Sequence, residues 1–145
     1  MNIPANRIAS ILGGRKNLGR SISSFQDLEA LVGHGIPKPA LDNLLLPFSK
    51  HSSFSESELR HKIVPPATYK RSDKFNLQTS ETIERIARLF AIASEAFGDE
   101  QAAARFLLSS HSELGDRSPF EAALTEIGGR SVEEIIEKGL HGLPV

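Results

Sequence analysis

The chain has no cysteine in its 145 residues. Disulfides, thiolate metal sites and cysteine nucleophiles are therefore excluded, and a reducing compartment, the cytoplasm, is the natural expectation. Long hydrophobic runs are missing as well. Nothing approaches the ~20 apolar residues of a membrane span, and the opening Met-Asn-Ile-Pro-Ala-Asn-Arg lacks the apolar segment of a secretory leader. No run of alternating β-branched residues argues for a strand, although Ile8 to Leu12 and Arg20 to Ser23 are compatible with either class.

Catalytic patterns are equally scarce. The histidines, His34, His51, His61, His111 and His141, include no pair three to five apart, so the sequence offers no local metal grip. Serine is plentiful, yet there is no Gly-x-Ser-x-Gly elbow. The run Gly13-Gly14-Arg15-Lys16 falls short of the phosphate-loop spacing and follows no clear strand. A binding protein is predicted, with no catalytic residue, no metal and no cofactor.

What is present is charge, separated by sign along the chain. Up to Ser94 there are 13 Lys and Arg against 8 Asp and Glu; beyond it there are 4 against 10, and the net charge of −1 conceals the split. A basic front suits a polyanion, and an acidic back would repel one and so points to a protein.

Helix starts are legible. Ser55 with Glu58, Ser118 with Glu121 and Ser131 with Glu134 have the spacing of capping boxes, in which Ser accepts from a free N–H of the first turn and Glu reaches back. From Ser80, the residues Ile83, Ile86, Ala87, Phe90, Ala93 and Phe97 recur at three and four, drawing one stripe along a helix that ends at Gly98. Asp99 can cap a helix carrying Ala102, Ala103, Phe106 and Leu107. The boxed starts lead into Phe120, Ala123, Leu124 and Ile127, then Val132, Ile135, Ile136 and Leu140, with Gly128-Gly129 as the link between them. In the front half, Phe25 to Val32 and Leu41 to Phe48 make short amphipathic helices. Ser55 to Lys62, a link of Ile63 to Pro66, and Ala67 to Arg71 read as helix, turn, helix. Two units follow: residues 1–79, a helix-turn-helix-like domain, and residues 80–145, a small bundle entered by the long helix of about 80 to 97.

Across the helix-turn-helix segment lie Arg60, Lys62, Lys70, Arg71 and Lys74, interleaved with Thr68 and Tyr69. In that motif the second helix enters the major groove, where Lys and Arg hold phosphates and Thr, Tyr or Arg meet base edges. Five cations touch too few phosphates for a monomer to bind tightly at physiological salt, so a dimer is expected.

With these residues in view, the chain resembles an antitoxin of the Xre/MbcA/ParS family, the partners of RES-domain toxins in type II toxin–antitoxin systems. The resemblance runs through Ile11-Leu12-Gly13-Gly14, the Leu-Val-x-x-Gly-Ile-Pro stretch ending at Pro37, Pro65-x-x-Thr68-Tyr69-x-Arg71, and Ser80-x-x-x-x-Glu84-Arg85-Ile86-Ala87-Arg88. The back half adds Phe97-Gly98-Asp99, Ala103-x-x-Phe106-Leu107, Leu114-Gly115, Pro119, Thr125-Glu126 and His141-Gly142-Leu143-Pro144. Phe106 stands where the family usually carries Trp, and Pro66 and Ala67 lack the polar residues often found entering the recognition helix.

The resemblance implies an all-α protein. Its front domain would dimerise and bind operator DNA to repress its own transcription, and its back domain would bind and neutralise an NAD-consuming toxin in a higher toxin–antitoxin complex. By the same resemblance, toxin contact falls to Gly115, Arg117, Arg130, His141, Gly142, Leu143, Pro144 and Val145, the last segment lying near the toxin's NAD pocket. The alternative reading is a stand-alone helix-turn-helix regulator with a C-terminal effector or dimerisation module.

Overall fold

A computed structural model describes residues 2–140 and 142. Among these the chain is all-α, with ten α-helices, no strand and a single isolated bridge between Pro37 and Lys74. The elements are α1 (Ala5–Ile11), α2 (Gly14–Leu18), α3 (Phe25–His34), α4 (Lys38–Lys50), α5 (Glu56–Ile63), α6 (Pro66–Arg71), α7 (Leu77–Phe97), α8 (Glu100–Leu108), α9 (Pro119–Ala122) and α10 (Glu126–Leu140), with a 3-10 turn at Ser112–Leu114. The segments Ile8 to Leu12 and Arg20 to Ser23, open between strand and helix in sequence, are mostly helix α1 and an irregular link respectively.

The long helix α7 is the mast of the fold. It begins three residues before the predicted Ser80, because Asn76 caps it by accepting from the Thr79 N–H at 2.8 Å. Ser80 has a different task. Fully buried, its hydroxyl accepts from the Ile36 N–H at 2.9 Å and donates to the Phe75 carbonyl at 3.2 Å, clamping the two segments that form the Pro37–Lys74 bridge. The predicted stripe Ile83, Ile86, Ala87, Phe90 and Ala93 is buried, and α7 packs against α1, α3, α8 and α10.

Phe48 of α4 sits at the centre, its ring 5.0 Å from that of Phe90 on α7 and 5.5 Å from that of Phe120 on α9. All three are buried, and together they join apolar side chains of front and back into one continuous core. Each such ring removed from water stabilises the fold by roughly 1.5–3 kcal/mol.

Two of the expected capping boxes form, at Ser55–Glu58 and Ser118–Glu121, and Asp99 caps α8. A further box at Ser24–Asp27, with Asp in the Glu position, opens α3. The third expected box does not form. Ser131 lies inside α10, where its hydroxyl donates to the Ile127 carbonyl one turn back. The helix runs straight through Gly128-Gly129, so this pair is not the predicted link. The break comes earlier, at Ala123–Thr125, between a four-residue α9 and α10.

Close approach explains the glycines. A Cβ on Gly128 would meet the Ala122 carbonyl oxygen at 1.8 Å, and one on Gly129 would meet Cδ of Arg85 at 2.7 Å. Because the helix starts at Glu126, Ile127 falls on its outer face and is 76% exposed, contrary to its expected place in the core; Leu140, expected in the following stripe with Val132, Ile135 and Ile136, is 45% exposed at the helix end.

Candidate functional site

The predicted DNA-contacting residues divide into two groups. Tyr69 is held from every side: its hydroxyl donates to both oxygens of Asp42 on α4 at 2.8 and 2.9 Å, its ring stacks on Phe75, and Lys38 and Arg60 lie over the ring at 4.1 and 4.2 Å. Burial, then the bond to Asp42, raises the phenol pKa and keeps it a donor. Arg60 also pairs with Asp42 at 3.7 Å, and Lys62 pairs with Glu121 of α9 at 3.7 Å. These three side chains dock α6 on α4 and α5 on α9. Thr68 is half-buried, its carbonyl accepting from the Ser72 hydroxyl.

Lys70, Arg71 and Lys74 form the second group. They are exposed, and among the described residues none of them makes an ion pair. Free positive charge between Arg60 and Lys74 is therefore concentrated on the last turn of α6 and the link into α7.

The predicted toxin-contacting residues also separate. Gly115 and Arg117 belong to a tied loop. The His111 N–H donates to the Arg117 carbonyl and the Asp116 N–H returns to the His111 carbonyl, both at 3.0 Å. The Arg117 Nε bonds the Leu114 carbonyl at 3.0 Å, and the His111 ring, edge-on to Phe106, caps the 3-10 turn through the Glu113 N–H. Gly115 and Asp116 both take left-handed backbone, at φ 66° and 64°. Lys138 on α10 pairs with Glu113 of this loop at 3.1 Å. The loop thus stands beside the last turn of α10, where the chain runs on to the exposed Gly142. The remaining members of the predicted set, His141, Leu143, Pro144 and Val145, lie outside the described residues.

Arg130 is elsewhere. It sits eight residues before Lys138, about 12 Å down the axis of α10 at 1.5 Å per residue. There it shares an outward stripe with Ile127, Glu134 and Glu137, all exposed and spaced three or four apart. Ile127, the most exposed large apolar side chain described, completes a surface that sequence periodicity assigned to the interior.

Behind α10, an arginine network from the Glu84-Arg85-Ile86-Ala87-Arg88 motif, to which the sequence assigned no role, fastens it to α7. Arg85 is buried, and its Nη1 donates at 2.9 Å to the carbonyl of Ala123, left free where α9 ends. Its Nε lies 4.0 Å from Glu126. Arg88 bonds Glu133 at 2.6 Å and Glu84 at 3.3 Å. Burial raises the Glu84 pKa against the opposing pull of Arg88, which is the lesser influence. The signal in sequence is the glycine pair in register with Arg85, since only glycine lets the arginine stem lie across the helix.

Residues 93–142 match the family model for the antitoxin Xre/MbcA/ParS C-terminal toxin-binding domain. The resemblance drawn from motifs is thereby borne out over the end of α7, the tied loop and α10. No curated protein matches the chain. The matched stretch begins on α7 itself, at Ala93, so the mast is shared with the front half. Among the described residues no helix is long and apolar enough to cross a membrane. None of them groups three or more His, Asp or Glu as a metal site.

Proposed function

We propose that the protein is an antitoxin of a type II toxin–antitoxin system that binds and neutralises a RES-type, NAD-consuming toxin by blocking access to its active site. The observation that carries this reading is the match of residues 93–142 to a toxin-binding domain. The contact surface comprises the Gly115–Arg117 loop, the last turn of α10 with the residues after it, and the Ile127–Arg130 stripe. An exposed isoleucine flanked by charge is the composition expected of an interface centre with a polar rim. The excess of Asp and Glu after Ser94 favours a toxin face of positive potential. Neutralisation needs no chemistry from the antitoxin, only a segment that fills the toxin's substrate entrance.

The front half, in this reading, is a DNA-binding and dimerisation domain that represses the operon, with Lys70, Arg71 and Lys74 on phosphates. The test is coexpression with the toxin encoded beside it. Growth is restored and the two chains copurify if the reading holds. Arrest in the presence of the intact chain, with no copurification, overturns it. Removal of His141 to Val145 is expected to abolish protection, while Lys70→Ala with Arg71→Ala weakens operator binding and leaves protection unchanged.

A further inference from the structure

The first 26 residues hold four cations, Arg7, Arg15, Lys16 and Arg20, and not one acid; Asp27 is the first in the chain. Of the four, Arg7 pairs with Glu100 of α8 at 4.0 Å. Arg15, Lys16 and Arg20 pair with nothing among the described residues. The fold does not disperse this charge. It folds the turn after α1, helix α2 and the link to α3 around a cleft of about 520 Å³, lined by Arg15, Arg20, Asn6, Ser10, Ser21 and Asn43.

Every one of these side chains can donate a hydrogen bond, and none of the residues lining the cleft is acidic. The cleft's shape is also secured. Asn43 of α4 donates through Nδ2 to the Ile11 carbonyl at 3.0 Å, and Asn17 through Nδ2 to the Leu12 carbonyl at 3.4 Å, which fixes the turn at Gly13-Gly14 on its rim. A stabilised concavity with two unpaired guanidinium groups and neutral donors, free of carboxylates, is built for an anion. Arginine forks suit the tetrahedral, multiply charged oxygens of phosphate in particular.

We propose that the cleft between α1, α2 and α4 is a phosphate-binding site, with Arg15 and Arg20 as the charged ligands and Ser10, Ser21 and Asn6 completing the shell. It is distinct from the basic face of α6, and the sequence run Gly13-Gly14-Arg15-Lys16 serves it through the Arg15 side chain, joined by Arg20 from the link to α3, and not as a strand-to-helix phosphate loop. The phosphate belongs either to a nucleic-acid backbone or to a small phosphorylated molecule. α4 supports both basic features through neighbouring residues, since Asp42 holds Tyr69 of α6 and Asn43 holds the rim of the cleft.

The test is a titration of the ¹⁵N-labelled full chain with sodium phosphate, ionic strength held constant with chloride. Saturable shifts are expected for the amides of Gly13, Gly14, Arg15, Arg20 and Ser21. They should be retained in Lys70→Ala with Arg71→Ala. In Arg15→Gln with Arg20→Gln they should weaken at least about tenfold, the loss expected of a charge-assisted hydrogen bond. Because both arginines reach solvent, the double variant should keep the amide dispersion of the folded chain; Arg15→Lys with Arg20→Lys, which preserves charge, should bind with intermediate strength. Absence of saturable shifts, or equal shifts in the glutamine variant, overturns the site.

Salt-dependent binding to random-sequence duplex DNA separates the two sources. A slope lowered by about two in the glutamine variant identifies a nucleic-acid phosphate. An unchanged slope in that variant, where the phosphate shifts of the parent have weakened as above, identifies a small phosphorylated ligand. Either outcome upholds the cleft, and neither depends on whether α6 contacts an operator.

Discussion

Tyr69 illustrates how one side chain can be read correctly as important and incorrectly as exposed. Its position on α6 suggests a base contact, yet its hydroxyl is committed to Asp42 and its ring to Phe75, Lys38 and Arg60. Tyr69→Phe leaves the ring in place and removes only the bond to the Asp42 carboxylate. The expected cost is about 1–2 kcal/mol in unfolding free energy, as for a partly buried bond to a charged acceptor. The salt slope of DNA binding should not change, because no phosphate ligand is lost; chemical denaturation and a salt series measure the two effects separately. Glu84 supplies a second prediction, through pH. Burial raises its pKa from the ordinary carboxyl value, so relative to the unfolded chain the fold favours the protonated form. The stability it contributes is complete below the unfolded-state pKa and is lost as pH rises through the folded-state value. At neutral pH Glu84→Gln should be at least as stable as the parent, because Arg88 keeps Glu133 as a partner. That advantage should vanish in acid, which thermal unfolding at the two pH values would show.

At the scale of elements, capping chemistry was the most legible part of the sequence, and glycine the most misleading. Ser55, Ser118 and Asp99 open helices as their spacing implies, since an N-cap is a local matter decided by residues within one turn. Ser131 has the same local pattern and opens nothing, because a helix already under way satisfies its backbone and the Ser hydroxyl turns to the Ile127 carbonyl. Gly128-Gly129 reads as a break for a similar reason. Helix propensity charges each glycine about 1 kcal/mol against alanine, and only the tertiary contact shows why α10 tolerates two. Gly128→Ala tests this directly. Propensity alone predicts a gain, whereas a Cβ at 1.8 Å from the Ala122 carbonyl oxygen requires the α9–α10 turn to move. Overpacking of this kind typically costs about 1–3 kcal/mol, so net destabilisation is expected. A melting temperature equal to or above the parent's would show that the turn yields freely. The outer stripe of α10 was partly hidden by the same misreading: with the helix start placed at Ser131, Ile127 closes the preceding helix's apolar face, and only the start at Glu126 puts it beside Arg130 on the outside.

For the molecule as a whole, the charge boundary and the packing boundary do not coincide. Charge changes sign near Ser94, within α7, but the buried apolar residues form one cluster that runs from Ile3 to Ile136. Phe48 is the joint, because a front-half ring fills the space between Phe90 and Phe120 of the back. Truncation to alanine leaves a cavity bordered by both and should cost about 3–5 kcal/mol, a large share of the roughly 5–15 kcal/mol that holds a typical domain folded. If front and back were energetically separate, Phe48→Ala would melt the front alone and leave the back half intact. The shared core requires the opposite. Parent and variant should each unfold in one transition, with Phe120 and Tyr69 environments lost together, and toxin binding should fall in parallel with stability although Phe48 lies in the basic half. Two resolved transitions in calorimetry, with the back half surviving the first, would instead establish independent halves. The physical reason to expect one transition is α7, which packs on α1 and α3 of the front half and also on α8 and α10 of the back. A helix that buries apolar surface against both halves cannot lose either partner without exposing that surface to water.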